Sequence, residues 1–368
     1  MDINFVVGKN GSGKSRYLQK AALETDRHTI LICNTVHDRY RASSNVKKLS
    51  IRNYNSKPSN VIKAAYIKLA REAGYRLNII AKVLEYCNYA PYVSFEIIPS
   101  ADFEEQLTRF KELNAASGID LGLASTIIDS LQEIPEFGRD TFHINLSDDY
   151  ISPLIQETLL GFLENERALK RFKLLKSINV SVKPKGRRHF VRIEDASSGE
   201  LTLIASQIFI LMNIQENSLV LIDEPENSLH PQWQKDYVNQ LGDLIGRYSP
   251  QVMIATHSPL IVSGVRNSED VIQFHYAETG DTTSPVRDVP SAEESLWEQF
   301  ETITPESRYV SDRIVDLLED LDNKSKSFDE VTKVLNEMEE ASYDYRQEKV
   351  LRAAKALAVK MHSGSQND

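Results

Sequence analysis

The chain has 368 residues, of which 41% are hydrophobic and 26% charged, an ordinary balance for a soluble globular protein. Its net charge of −10 excludes sequence-independent nucleic-acid binding by the whole surface, although a local basic strip is allowed. No apolar run approaches the roughly 20 residues of a membrane helix, and two cysteines, Cys33 and Cys87, make no metal spacing and suit a reducing cytoplasm.

The first element is a short apolar run, Phe5 to Val7, that leads into "GKNGSGKS", a G-x-x-x-x-G-K-S phosphate-cradling loop. The strand feeds this loop directly, so it is expected to stay in the mature chain rather than be cleaved as a leader. Glycines here let backbone N–H groups turn toward phosphate oxygens, and the following helix adds its N-terminal dipole. Lys14 can reach the β- and γ-phosphates and Ser15 can bind Mg²⁺. The candidate nucleotide-binding set is Gly8, Asn10, Gly11, Ser12, Gly13, Lys14, Ser15 and Arg16.

Helical spacing is clear in "VIKAAYIKLAREAGYRLNIIAKVLEYC" and in "ISPLIQETLLGFLENERALKRFKLL", whereas "YVSFEII" and "TFHINLS" alternate like short strands. Without sustained heptads, residues 41–177 are expected to form a compact, mainly helical insertion. It either covers the sheet or binds a partner or shapes a dimer.

A basic strip follows: Arg167, Lys170, Arg171, Lys173, Lys176, Lys183, Lys185, Arg187, Arg188 and Arg192. "INVSVKPKGRRHFVRIED" reads as a hairpin with Pro184-Lys185-Gly186 near its turn. The plain reading is a solvated face; contact with a nucleic-acid backbone or an acidic partner are the alternatives.

In "ASSGE", Ser197 or Ser198 is expected to cap a helix with Glu200 in its first turn. Ser197, Ser198, Gly199 and Glu200 also form an exposed helix N-terminus, a candidate second anion site. Next, "SLVLIDEPENSLHP" reads as a buried parallel strand ending in Asp223 and Glu224. Asp223 can hold Mg²⁺ and Glu224 can polarise the attacking water. Paired carboxylates at a strand end could be a solvated loop; the lysine loop upstream argues for chemistry. "MIATHSP" supplies another apolar strand with His257 past its end, able to hydrogen-bond the γ-phosphate and the base. Between them, Trp233, Tyr237, Leu241 and Ile245 make a helical stripe.

After a turn-rich connector, three amphipathic helices are expected. Their stripes are Val310, Ile314, Leu317, Leu318 and Leu321; Phe328, Val331, Leu335 and Met338; and Val350, Leu351, Ala354, Leu357 and Met361. Residues 362–368 are expected to be disordered.

In this order the motifs resemble the ATP-binding-cassette (ABC-type) branch of AAA-family ATPases. "ASSGE" looks like the signature motif, "LIDEPENSLHP" like Walker B and the D-loop containing Ser228, and "ATHSP" like the histidine switch. The wording is closer to chromosome-maintenance and DNA-repair ATPases than to transporter components. It is also similar to small ATPases of bacterial antiphage defence: Septu-type, retron-associated and overcoming-lysogenisation-defect proteins. "CNTVHDRY", Cys33 to Tyr40, is similar to a segment that follows the first helix in some of these.

The resemblance implies an α/β fold of the P-loop ABC-ATPase head type: a mixed sheet flanked by helices, a mainly helical insertion and a helical C-terminal tail. The ATPase core would span 1–40 and 178–285, with 286–361 as the helical C-terminal region. ATP and Mg²⁺ are the implied cofactors. Lys14 and Ser15 would bind phosphate and Mg²⁺, Asp223 the metal, Glu224 would be the base and His257 the switch. Ser197 and Gly199 would act on the nucleotide of a second copy in a head-to-tail dimer, with Ser228 in the D-loop. A cytoplasmic, slow ATPase controlling a separately encoded effector is expected, with nucleic acid at Lys183, Lys185, Arg187, Arg188 and Arg192 as a further possibility.

Three departures stand out. The family usually has further strands before the phosphate loop, whereas this chain starts directly on the strand that feeds it, so the adenine-side wall is expected to be incomplete or built elsewhere. No glutamine switch is evident between Lys14 and Ser197. No carboxylate cluster follows His257, so no nuclease centre is expected. The rival readings are a DNA-repair ATPase that clamps DNA directly and an ATP-stabilised scaffold with little turnover.

Overall fold

The computed structural model describes residues 1–35, 40, 45–50, 57–72, 77–117, 140–148, 151–265, 271–277, 279–284, 290–300, 307–341 and 345–364. Of the "CNTVHDRY" segment, positions 36–39 lie outside them. The chain opens with strand β1 (Asp2–Val7), helix α1 (Lys14–Leu23) and strands β2 (Thr29–Cys33) and β3 (Val46–Ser50). Helices α2 (Pro58–Arg71) and α3 (Asn78–Tyr86), strand β4 (Tyr89–Pro99), helix α4 (Phe103–Ser117), strand β5 (Asp140–Asn145) and helix α5 (Pro153–Arg171) follow. Strands β6 (Leu175–Pro184) and β7 (Val191–Arg192) lead to α6 (Ser198–Asn213), β8 (Leu219–Asp223), α7 (Pro231–Ile245) and β9 (Gln251–Ala255). The short α8 (Pro259–Ser263), β10 (Val271–Tyr276), α9 (Ala292–Glu298), α10 (Arg308–Asp322), α11 (Phe328–Ala341) and α12 (Tyr345–Gly364) complete the described chain.

One sheet is parallel, in the order β10-β1-β9-β8-β2-β3. Its central strands are nearly continuous apolar runs because both faces are covered. Val6, Leu31, Cys33, Leu221, Met253 and Ala255 pack with Leu18 and Ala22 of α1 on one face. The alternate residues, such as Phe5, Ile32, Ile222 and Ile254, join the larger core on the other face. Asp223 and Val6 each pair with Ala255. The carboxyl ends of β1, β8 and β9 therefore finish at one edge, where ligand sites of open parallel sheets form.

A second sheet is antiparallel, in the order β5-β4-β6-β7. The expected hairpin is present: Ser181 pairs with Arg192 and Val182 with Val191, and Gly186 turns with φ +76°. The alternating stretches "YVSFEII" and "TFHINLS" fall on strands as expected, β4 and β5. What differs from the sequence reading is their pairing with β6 and β7 in one sheet, so that the 177/178 boundary runs through β6. The long helical run from Val61 to Cys87 is two helices, α2 and α3. A 3.6-residue period gives helical face but not continuity.

The tail forms its own core. Leu317, Val331, Leu335, Met338 and Leu351 are fully buried there. The third stripe is shifted from its expected phase. Leu351, Ala354 and Ala358 are buried, whereas Val350 and Leu357 are 53% and 47% exposed. The tail is helical beyond residue 361. Contrary to the expected disorder from residue 362, α12 continues to Gly364, and the His362 ring stacks on Phe328 at 4.4 Å. No helix among the described residues is long and apolar enough to cross a membrane.

Candidate nucleotide site

The loop between β1 and α1 is shaped by positive φ at Gly8 (143°), Gly11 (84°) and Gly13 (107°). Gly8 has a second reason to lack a side chain: a Cβ there would lie 2.7 Å from Ser12 Oγ. Lys14 is buried, 5% exposed. Its ammonium donates to the Gly8 carbonyl (3.0 Å) and the Lys9 carbonyl (3.2 Å), and lies 3.0 Å from His257 Nδ1. Glu224 Oε1 is 3.9 Å away. Asn10, Gly11, Gly13 and Arg16 line the same cleft.

Ser15 Oγ donates to Asp223 Oδ2 at 2.9 Å. Asp223 is fully buried, and burial, opposed by the Ser15 hydroxyl, holds its carboxyl pKa above the usual value. The Tyr40 hydroxyl is a further neighbour of this carboxylate. A buried carboxylate next to a serine hydroxyl is a set of hard oxygen ligands that fits Mg²⁺. Tyr40, itself buried, approaches from the β2 side. Burial first, and the Asp223 carboxylate second, push its hydroxyl pKa well above the ordinary range.

Glu224 sits just past β8 with φ +54°, a left-handed conformation uncommon for a non-glycine residue. Its N–H donates to the Ala255 carbonyl at 2.8 Å, and its carboxylate pairs with His257 Nε2. The Glu226 carboxylate accepts from the His257 backbone N–H at 2.7 Å. Burial raises the Glu226 pKa, and Glu224 adds to the effect. Ligand atoms of Glu224, Glu226 and His257 lie within 4.8 Å of one another.

The expected capping box opens α6: Ser197 N–H donates to Glu200 Oε2 (2.7 Å) and Glu200 N–H to Ser197 Oγ (3.3 Å). Ser197 and Ser198 are exposed, while Gly199 is buried. A Cβ on Gly199 would meet the Ser228 carbonyl oxygen at 2.3 Å, so the signature segment packs on the segment after Walker B within one copy. Ser228 is itself left-handed, at φ +68°. In the basic strip, Lys185, Arg187 and Arg188 are exposed at the hairpin turn. Lys183 lies over the Tyr92 ring at 5.1 Å, Arg192 is 4.0 Å from Glu96, and Lys170 pairs with Glu166 at 2.6 Å.

Thus Lys14, Ser15, Asp223, Glu224 and His257 converge at one sheet edge, while Ser197–Glu200 and Ser228 form a second surface. Sequence reasoning missed Glu226 and Tyr40. Glu226 lies inside "DEPEN", two residues past Glu224, and could have been read as a second carboxylate. Tyr40 ends the "CNTVHDRY" segment, whose resemblance gave it no role.

Comparisons with known proteins bear on the same region of the chain. Residues 102–263 match a family model described as "AAA domain, putative AbiEii toxin, Type IV TA system". That span includes the Asp223–His257 half of the site; the phosphate loop at 8–15 precedes it. The chain is 36% identical over 72 residues to protein ea59 of Escherichia phage lambda, covering 20% of this chain and 14% of that protein. It is 30% identical over 96 residues to Septu protein PtuA of Bacillus mycoides, 24% of this chain and 13% of that protein. It is 24% identical over 228 residues to a component of the ATP-dependent helicase/deoxyribonuclease of Clostridioides difficile, 61% of this chain and 18% of that protein. The matches thus span less than a fifth of each relative's length. Residues 102–263 are thus similar to an AAA-family ATPase domain, and the chain carries a parallel sheet flanked by helices.

Proposed function

We propose that the protein binds and hydrolyses ATP as an ABC-type ATPase, closes as a head-to-tail dimer around the nucleotide, and controls a separately encoded effector in antiphage defence. One observation carries the chemistry: Lys14, the Ser15–Asp223 pair and the Glu224–His257 pair meet at the ends of β1, β8 and β9. The backbone N–H groups of the loop and Lys14 bind the β- and γ-phosphates. Ser15 and Asp223 hold Mg²⁺, which would neutralise charge developing on the phosphates. Glu224 takes the proton of the attacking water, and His257 fixes that carboxylate in place. The exposed N-terminus of α6, with Ser197 and Ser198 unburied, suits contact with a second copy's nucleotide.

The defence role is supported by the similarity to Septu protein PtuA. Affinity purification of Glu224→Gln from its native cell with ATP tests it. A stoichiometric nuclease or toxin would support effector control; its absence would remove that part of the proposal. A second reading, direct DNA clamping, is favoured by the exposed Lys185, Arg187 and Arg188 beside α6 and by the helicase/deoxyribonuclease relative. It requires ATP-dependent DNA binding that Arg187→Ala/Arg188→Ala removes.

A further inference from the structure

A cavity of about 710 Å³ lies against the outer side of the phosphate loop at Gly8 and Asn10. Tyr276, from the end of β10, and Phe300, just past α9, give it aromatic walls. Its volume falls in the range of small-molecule and cofactor sites, about 300–1,000 Å³. A second cavity of about 330 Å³, lined by Lys14, Ser15 and Glu224, shares Asn10 with it.

The polar groups of the larger cavity are biased. Asp281, Glu298 and Gln299 line it. The Gln299 amide group hydrogen-bonds the Tyr276 hydroxyl, whose pKa is raised by burial and then by Glu298. Gln299 Oε1 is buried and has no hydrogen-bond partner among the described residues. A buried acceptor left unpaired is unfavourable until a donor reaches it. Lys9, Asn10, His257 and Thr279 also line the cavity; beside Tyr276 and Phe300, the two carboxylates and this amide oxygen offer acceptors only and disfavour phosphate. The fitting ligand is flat, neutral and rich in donors.

We propose that this cavity is the nucleoside compartment of the ATP site, so that the C-terminal elements β10 and α9 build its base-side wall and select adenine over guanine. This rests on the nucleotide reading above. The base stacks between Tyr276 and Phe300, its exocyclic amine donates to Gln299 Oε1, and the ribose hydroxyls donate to Asp281 or Glu298. Guanine carries a carbonyl oxygen on the corresponding edge, which faces Gln299 Oε1 acceptor to acceptor. The phosphates run past Asn10 into the smaller cavity.

Calorimetric titration of the full chain with β,γ-imido analogues of ATP and GTP, and with inorganic tripolyphosphate, tests this. The expected result is ATP-analogue affinity at least tenfold above both others. Phe300→Ala should lower it tenfold or more with tripolyphosphate unchanged, and Gln299→Leu should bring the two purine analogues level. An unchanged Phe300→Ala, or equal binding of tripolyphosphate and ATP analogue by wild type, would overturn the compartment while the phosphate site stands. No binding of any of the three would remove the nucleotide reading itself. Photolabelling of wild type with 8-azido-ATP needs no variant to fold. Label within Tyr276–Phe300 supports the assignment, and label confined to Arg16–Gln19 refutes it.

Discussion

Lys14 Nζ lies 3.0 Å from His257 Nδ1, across 243 positions of sequence. An ammonium group has donors only, so Nδ1 is the acceptor and the ring proton sits on Nε2, which faces the Glu224 carboxylate. The orientation of the ring is thus set from the phosphate-loop side. The three Lys14 donors are taken by the Gly8 carbonyl, the Lys9 carbonyl and His257. On the proposed function, phosphate oxygens would replace part of this set, and ATP would loosen the grip on His257.

His257→Ala separates binding from chemistry. Lys14 loses a partner that competes with phosphate, so affinity for a non-hydrolysable ATP analogue should hold or rise slightly. The turnover number should fall by about 10²-fold, the scale of an acid–base group's contribution. Lys14→Ala should instead abolish measurable binding. Calorimetry beside steady-state phosphate release reads both. A parallel loss of affinity and rate in His257→Ala would contradict the arrangement.

Asp223→Asn should stabilise the fold while abolishing Mg²⁺-dependent turnover. Burial raises the Asp223 pKa in the folded chain. Its contribution to stability is therefore complete below the unfolded value of about 4 and is lost as pH rises through the raised folded value. The isosteric amide avoids that loss. Melting curves should show the variant higher by about 2–4 °C at pH 8, with the gap closing as pH falls toward 5. A variant that melts lower at pH 8 would mean that the Ser15–Asp223 bond outweighs desolvation.

How far the sequence told this in advance depends on period and distance. β1, β8 and β9 were legible because buried parallel strands read as apolar runs, and the capping box at Ser197 and Glu200 because it is local. The hairpin turn at Gly186 was legible for the same reason. The antiparallel sheet shared by β4, β5, β6 and β7 was not, because strand pairing is non-local. The phase of α12 was lost where Val350, Leu357 and Ala358 compete for one stripe. Tyr276 and Phe300 carry no local signal, and the resemblance that covers Tyr40 gives it no role; only the folded sheet edge brings all three to the phosphate loop.

Lys63 and Glu166 tie α2 to α5. Lys63 Nζ is 2.9 Å from Glu166 Oε2, with side chains only 9% and 15% exposed, and Lys170 reaches the same carboxylate. Burial lowers the Lys63 pKa despite Glu166. Desolvation is thus a large effect, and the pair is worth less than its geometry suggests. Lys63→Met should cost only about 1–2 kcal/mol, because Lys170 still pairs with Glu166, while Lys63→Met/Glu166→Leu should recover most of that loss. Urea denaturation of the full cycle measures it. A double variant no better than the single would place the cost in packing rather than charge.

Gly199 tests whether the signature segment and the segment after Walker B move together. A methyl group there would meet the Ser228 carbonyl oxygen at 2.3 Å, with the Trp233 ring only 3.5 Å away. That oxygen belongs to backbone and cannot swing aside. Ser228 is already left-handed and has little room to relax. Gly199→Ala must therefore push α6 off Ser228 or distort the turn, and should lower the melting temperature by several degrees, the consequence of about 2 kcal/mol of overpacking. Ser198→Ala, one residue earlier and exposed, should leave it unchanged. Ser197→Ala should fall between them, because it removes the capping box, worth about 1 kcal/mol. The order matters more than the sizes. If Gly199→Ala melts with wild type while Ser197→Ala does not, the helix end is held by its cap alone, and strain at Ser228 cannot be transmitted to the signature serines.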